Sequence, residues 1–178
     1  MNYFIKFLTY FRIVIAPVIF LLIIPFNFFG LALFLFFLAS ISDYWDGFLA
    51  RKYKLESTLG AVLDPIADKI LITFVIIGLS IELHSFIIGF FGGVILIREL
   101  WVGALRELNA RNANQNATKV SKLAKIKTTV QFFAFSGFLL GLFLNNSLMI
   151  FLSHFLLFLA LIITLQTGLS YTIATFKR

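Results

Sequence analysis

The sequence predicts an all-α integral membrane protein: a single domain over 1–178 with six transmembrane helices, a short N-terminal interfacial helix and both termini cytoplasmic. Three observations predict it. Of the 178 residues, 61% are hydrophobic and only 13% charged, against roughly 45–50% and about 25% in a soluble domain. The apolar residues form runs long enough to cross a ~30 Å hydrocarbon core, which takes about 20 helical residues. The 15 Lys and Arg residues gather on one side of the proposed bilayer, as cytoplasmic loops require. That placement accounts for the net charge of +7 through membrane orientation and not through nucleic acid. The absence of cysteine excludes disulfide frameworks, zinc–thiolate sites and thiol nucleophiles.

Met1 to Arg12 alternates Phe, Leu and Tyr with Lys6 and Arg12, the pattern of a short interfacial helix. Its basic start resembles a signal peptide, but no small-residue cleavage site follows Ile24, so the segment is expected to remain. Ile13 to Ser42 carries no charge and is interrupted by Pro25, Asn27 and Gly30, which suits two helices and a tight outer turn over Pro25–Phe29. Ala61–Leu83 and Ser85–Leu105 are apolar with scattered charges and turn at Glu82–Ser85. Glu107–Thr118 reads as a polar cytoplasmic loop, where the sequon Asn116-Ala117-Thr118 has no meaning. Thr128 to Phe176 is again uncharged and breaks at Asn145–Ser147, giving the last two spans.

Every basic residue except Lys69 and Arg98 flanks an inner end, and none falls in an outer turn. Five or seven spans would destroy that asymmetry. The 24 phenylalanines read as lipid-facing bulk.

Against this background the acidic residues stand out. Asp43, Asp46, Asp64, Asp68, Glu82 and Glu99 lie in or beside spans, where a mid-bilayer aspartate costs on the order of 3 kcal/mol. Asp43 and Asp46 are three apart and Asp64 and Asp68 four apart, so each pair shares one helix face. A short basic loop joins the two helices, which are therefore expected to be antiparallel neighbours with both pairs at one depth. Four carboxylates so placed form a hard-oxygen nest suited to Mg²⁺ or Mn²⁺. Without a cation they repel one another. Gly47 and Gly60 remove side chains beside them, Pro65 bends the third helix, and Arg51 and Lys69 can offset charge or hold phosphate. The same acids are also compatible with a cation path, although the outer halves of these spans offer few polar groups to continue one.

Written out, Asp43 to Asp68 is D-x-x-D-G-x-x-A-R-x8-G-x-x-x-D-x-x-x-D. This resembles the signature of the CDP-alcohol phosphatidyltransferase family with every specified position filled, and the likeness in span number and length covers nearly the whole chain. The flanking segments are most similar to members that use glycerol 3-phosphate. They are Leu8-Thr9 with Arg12 and Pro17, Leu59-Gly60 to Lys69, Arg98-Glu99 with Leu105-Arg106, and Val120-Ser121-Lys122 to Gln131. Ala124 stands where the family usually has glycine.

The resemblance implies transfer of a phosphatidyl group from CDP-diacylglycerol to an acceptor alcohol, with CMP released, assisted by two divalent ions, Mg²⁺ or Mn²⁺. Carried over position by position, Asp43, Asp46, Asp64 and Asp68 are the metal ligands, and Asp68 is also the general base. Gly47, Ala50, Arg51 and Gly60 would bind the cytidine nucleotide, as the family resemblance implies. It further implies a homodimer in the bacterial cytoplasmic membrane with its active site facing the cytoplasm. A phosphorylated acceptor requires a basic pocket, for which Arg98, Arg106, Lys125 and Lys127 are the candidates. Lys122, Lys125 and Lys127 equally satisfy the positive-inside bias, and Glu99 and Arg106, seven apart, can form an ion pair. Phosphatidylglycerol, serine or an inositol phosphate remain alternative acceptors. His84 and His154 fall in the outer half, remote from the aspartates, and receive no catalytic role.

Overall fold

Six helices make up nearly all of the described residues, which in this computed structural model are 2–53, 58–112 and 122–177. They are α1 (Asn2–Ile23), α2 (Phe29–Tyr53), α3 (Thr58–Glu82), α4 (Phe86–Arg111), α5 (Lys122–Phe143) and α6 (Ser147–Phe176). The sequon at Asn116 lies outside the described residues, as do the side chains of Asp46, Ala50, Arg51 and Lys122 and the surroundings of Gly47.

Tight turns join α1 to α2, α3 to α4 and α5 to α6 where the sequence places them. Each contains one non-glycine residue with positive φ: Asn27 at 53°, His84 at 45° and Asn145 at 53°. Asparagine and histidine tolerate that left-handed conformation better than most residues. Ser85 and Asn146 then cap the following helices, their side chains accepting from the Ile88 amide at 3.4 Å and the Met149 amide at 3.2 Å.

Two expectations about helix boundaries change. No separate short helix precedes the first apolar stretch, because α1 runs unbroken through Arg12 and Pro17. Thr9, Arg12, Ala16, Ile19 and Ile23 are all buried, and their spacing of three and four residues makes one continuous stripe. The polar segment after Glu107 begins as helix, since α4 continues to Arg111 with an exposed Glu107–Arg111 ion pair.

α4, α5 and α6 are each long and apolar enough to cross a membrane, while α1 and α2 carry shorter apolar stretches over Phe7–Ile23 and Phe29–Asp43. α3 spans 25 residues but bears Asp64, Asp68 and Lys69 in its first half. One core joins all six helices through residues such as Ile19, Phe36, Val75, Ile95, Phe135 and Leu157. Fully buried Ala16, Ala32, Ala39, Ala134 and Ala160 bring helix backbones close, as small residues do in membrane bundles. The phenylalanines divide: Phe34, Phe133 and Phe151 are exposed, whereas Phe36, Phe135 and Phe138 fill the core.

α1 packs against both α2 and α3, α5 against α2 and α6, and α4 against α3 and α6. The expected direct pairing of α2 with α3 is thus replaced, among the described residues, by contact through α1. The basic loop constrains only the helix ends, and the buried stripe of α1 takes the intervening place.

Candidate functional site

Arg12 is the centre of the acidic site. Its side chain is 0% exposed, and Nη1 donates to Asp43 Oδ1 of α2 at 2.6 Å and also to Asp68 of α3. Nη2 reaches Asp64 Oδ1 at 3.4 Å, and Thr9 Oγ1, one turn before Arg12 on α1, donates to the same oxygen at 2.7 Å. Three carboxylates from two helices therefore converge on one guanidinium supplied by a third. The aspartate side chains keep between 34% and 50% exposure, so the cluster opens outward while the arginine is sealed behind it. Asp46 lies on α2 one helical turn beyond Asp43, with Gly47, Ala50 and Arg51 following on the same helix, and Gly60 is in the first turn of α3.

Sequence reasoning treated Arg12 as an inner-flank charge. The signal that reveals it is its place in the apolar stripe of α1, where an unpaired guanidinium would be costly.

Do these residues suit divalent cations? Among the described residues no three acidic or histidine side chains form a ready-made cage, because their oxygens face Arg12 instead of one another. They nevertheless converge on one positive charge. The donors are all carboxylate oxygens, the set that Mg²⁺ and Mn²⁺ prefer. The residues fit.

A second charged cluster joins α4, α5 and α6. Arg98, 7% exposed, donates from Nη2 to Thr167 Oγ1 at 2.6 Å and from Nη1 to Glu99 Oε1 at 3.3 Å. Lys127 Nζ is buried and donates to the same Glu99 oxygen. The Arg98 and Arg106 guanidinium carbons lie 5.7 Å and 5.9 Å from the centre of the Tyr171 ring, within cation–π range.

Three of the four proposed phosphate-binding cations thus gather here. Lys125 does not. It is exposed on α5, two residues from Lys127 and so on a different helix face. Glu99 pairs with Arg98 and Lys127, not with Arg106 as its spacing suggested. Arg98, Lys127 and Arg106 against Glu99 leave the cluster cationic, which favours a phosphate dianion.

The two clusters lie at one level of the bundle. At 1.5 Å per residue from the tight-turn ends of their helices, Asp43, Asp68, Arg98 and Lys127 all fall about 18–24 Å along. Lys69 belongs to neither cluster. It lines an otherwise mostly apolar groove of about 380 Å³ between α3 and α4, with Ile66, Ile70, Phe74, Leu96 and Leu100. His154 serves packing near the tight turns, with Nδ1 at 2.9 Å from the Ile150 carbonyl and its ring edge-on to Phe138.

An apolar helix bundle carrying an acidic cluster on α1–α3 and a cationic cluster on α4–α6 fits the class of membrane enzymes that act on charged substrates. Residues 5–166 match the model of the CDP-alcohol phosphatidyltransferase family, and the chain belongs to that family. It is 32% identical over 167 residues to the CDP-diacylglycerol–glycerol-3-phosphate 3-phosphatidyltransferase of Escherichia coli (strain K12), covering 92% of this chain and 90% of that protein. The enzyme of the same name from Shigella flexneri serotype 5b (strain 8401) is 32% identical over the same shares. That from Wigglesworthia glossinidia brevipalpis is 39% identical over 131 residues, 71% of each chain.

Proposed function

We propose that this chain transfers the phosphatidyl group of CDP-diacylglycerol to sn-glycerol 3-phosphate, giving phosphatidylglycerol phosphate and CMP. The observation that carries the reading is the placement, at one depth, of carboxylates converging on Arg12 and a cationic cluster of buried Arg98 and Lys127 with exposed Arg106. The names of the relatives and the signature from Asp43 to Asp68 support the same reaction.

In this reading the chain is a six-span protein of the bacterial cytoplasmic membrane, with both termini and the site on the cytoplasmic side. The one-sided distribution of Lys and Arg supports that orientation. The family resemblance supports a homodimer.

Asp43, Asp46, Asp64 and Asp68 would hold two divalent ions, Mg²⁺ or Mn²⁺. Such ions, when bound, neutralise the pyrophosphate and stabilise the departing CMP. Gly47, Ala50, Arg51 and Gly60 would bind the cytidine nucleotide, as the family resemblance implies. Arg98, Arg106 and Lys127 take the phosphate of the acceptor, with Arg98 able to bind bidentately. That contact directs the acceptor's hydroxyl group toward the acidic site. Asp68 accepts the hydroxyl proton as the oxygen attacks the phosphorus bearing the diacylglycerol, and the bond to CMP breaks. Lys125, turned away, would serve the positive inner surface.

The test is an acceptor panel with purified protein and CDP-diacylglycerol, reading CMP release. Glycerol 3-phosphate should be the productive acceptor. Release with serine or inositol phosphate in its place would overturn the assignment.

A further inference from the structure

Three residues of α6 lie outside the charged motifs yet pack directly on the cations of this cluster. Thr167 Oγ1 accepts from Arg98 and donates to the Ile163 carbonyl at 2.8 Å, so its hydroxyl is held in place on both sides. Gly168 follows. A Cβ there would stand 3.0 Å from Arg98 Cγ and 3.1 Å from Nε, closer than a side chain normally tolerates. Position 168 therefore lets the arginine lie against the α6 backbone. One turn further, Tyr171 presents its ring to both Arg98 and Arg106. Arg98 Nε is buried against this same stretch of α6 and has no hydrogen-bond acceptor among the described residues, so the arginine is held here by Thr167, by Glu99 and by packing.

We propose that this turn of α6, Thr167–Gly168–Tyr171, is a positioning platform that sets Arg98 and Arg106 side by side for the acceptor's phosphate. The proposal rests on the acceptor reading above and adds three residues to it. None needs to touch substrate. Thr167 sets the direction of the Arg98 fork, Gly168 its distance from α6, and Tyr171 the spacing of the two guanidinium groups. A flexible arginine on α4 alone would lose rotamer freedom on each binding event, whereas a held one does not.

The experiment measures KM for glycerol 3-phosphate and for CDP-diacylglycerol separately in Thr167→Val, Thr167→Ser, Gly168→Ala, Tyr171→Leu and Arg98→Ala. Losing one hydrogen bond to a charged group predicts a rise of about tenfold or more in the acceptor KM for Thr167→Val. The KM for CDP-diacylglycerol should stay near wild type. Thr167→Ser, which keeps the hydroxyl, should restore the acceptor KM, and Gly168→Ala and Tyr171→Leu should raise it.

A rise with Arg98→Ala but none with the α6 variants overturns the platform and leaves the acceptor reading intact. No rise with Arg98→Ala overturns the acceptor reading itself. A change in both KM values that serine does not rescue marks a general packing defect and also refutes the platform.

Discussion

Replacing Arg12 by methionine is the sharpest test of the acidic site, because it keeps an unbranched apolar stem and removes the guanidinium that the three aspartates share among the described residues. Removing one member of a buried ion pair costs about 3–5 kcal/mol when the other charge stays buried. Here Arg12 is sealed but Asp43, Asp64 and Asp68 are 50%, 34% and 46% exposed, so water recovers part of the loss. A net destabilisation of about 2–4 kcal/mol follows. For a chain of this size each kcal/mol lowers Tm by about 2–4 °C. Arg12→Met should therefore melt roughly 5–15 °C below wild type in detergent, followed by the fluorescence of Trp45 and Trp101.

Adding Mg²⁺ should stabilise the variant more than wild type, because it returns positive charge among the carboxylates. Arg12→Lys should fall between, since one ammonium cannot span three acids as a planar fork does. Identical melting of Arg12→Met and wild type, with and without Mg²⁺, would refute the view that these acids need a resident cation.

Three further outcomes are expected. Asp68→Asn should lower turnover about 10²–10⁴-fold while nucleotide binding changes less, because the amide cannot accept a proton; a titration of CMP alongside the rate separates the two. EDTA should stop CMP release and either Mg²⁺ or Mn²⁺ should restore it, whereas chelator-resistant turnover removes the metals from the reaction. Gly92→Val should lower thermal stability by about 1–3 kcal/mol through overpacking, because a Cβ at Gly92 already meets Ile76 Cδ1 at 2.9 Å. Its KM values should not move.

The three tight turns were legible because uncharged runs break at residues that tolerate positive φ, and Asn27, His84 and Asn145 occupy those breaks. The convergence of Asp43, Asp64 and Asp68 was legible from helical spacing. The partner that draws them together was not, because Arg12 satisfies the positive-inside count equally well as a solvated flank. The alignment of Thr9, Arg12, Ala16 and Ile19 on one face distinguishes the two, and the family-like segment from Leu8 to Pro17 points to the same residue. The packing of α1 against both α2 and α3 was hidden for a different reason: loop length restricts which helix ends meet, not which bodies pack. Thr167, Gly168 and Tyr171 read as ordinary span residues, since a threonine hydroxyl that holds an arginine on another helix leaves no mark on local pattern. Lys125 and Lys127 are indistinguishable by composition, and the burial of one beside Glu99 is a tertiary fact.

The seat of Arg12 on α1 ties the acidic cluster to assembly of the bundle. A chain whose first helix has failed to dock leaves like charges on α2 and α3 to push one another apart, so the bundle resists closing around an empty groove. Only correct insertion of α1 quiets that repulsion. Docking of α1 is thereby the event that lets Asp43, Asp64 and Asp68 share one place in the bundle.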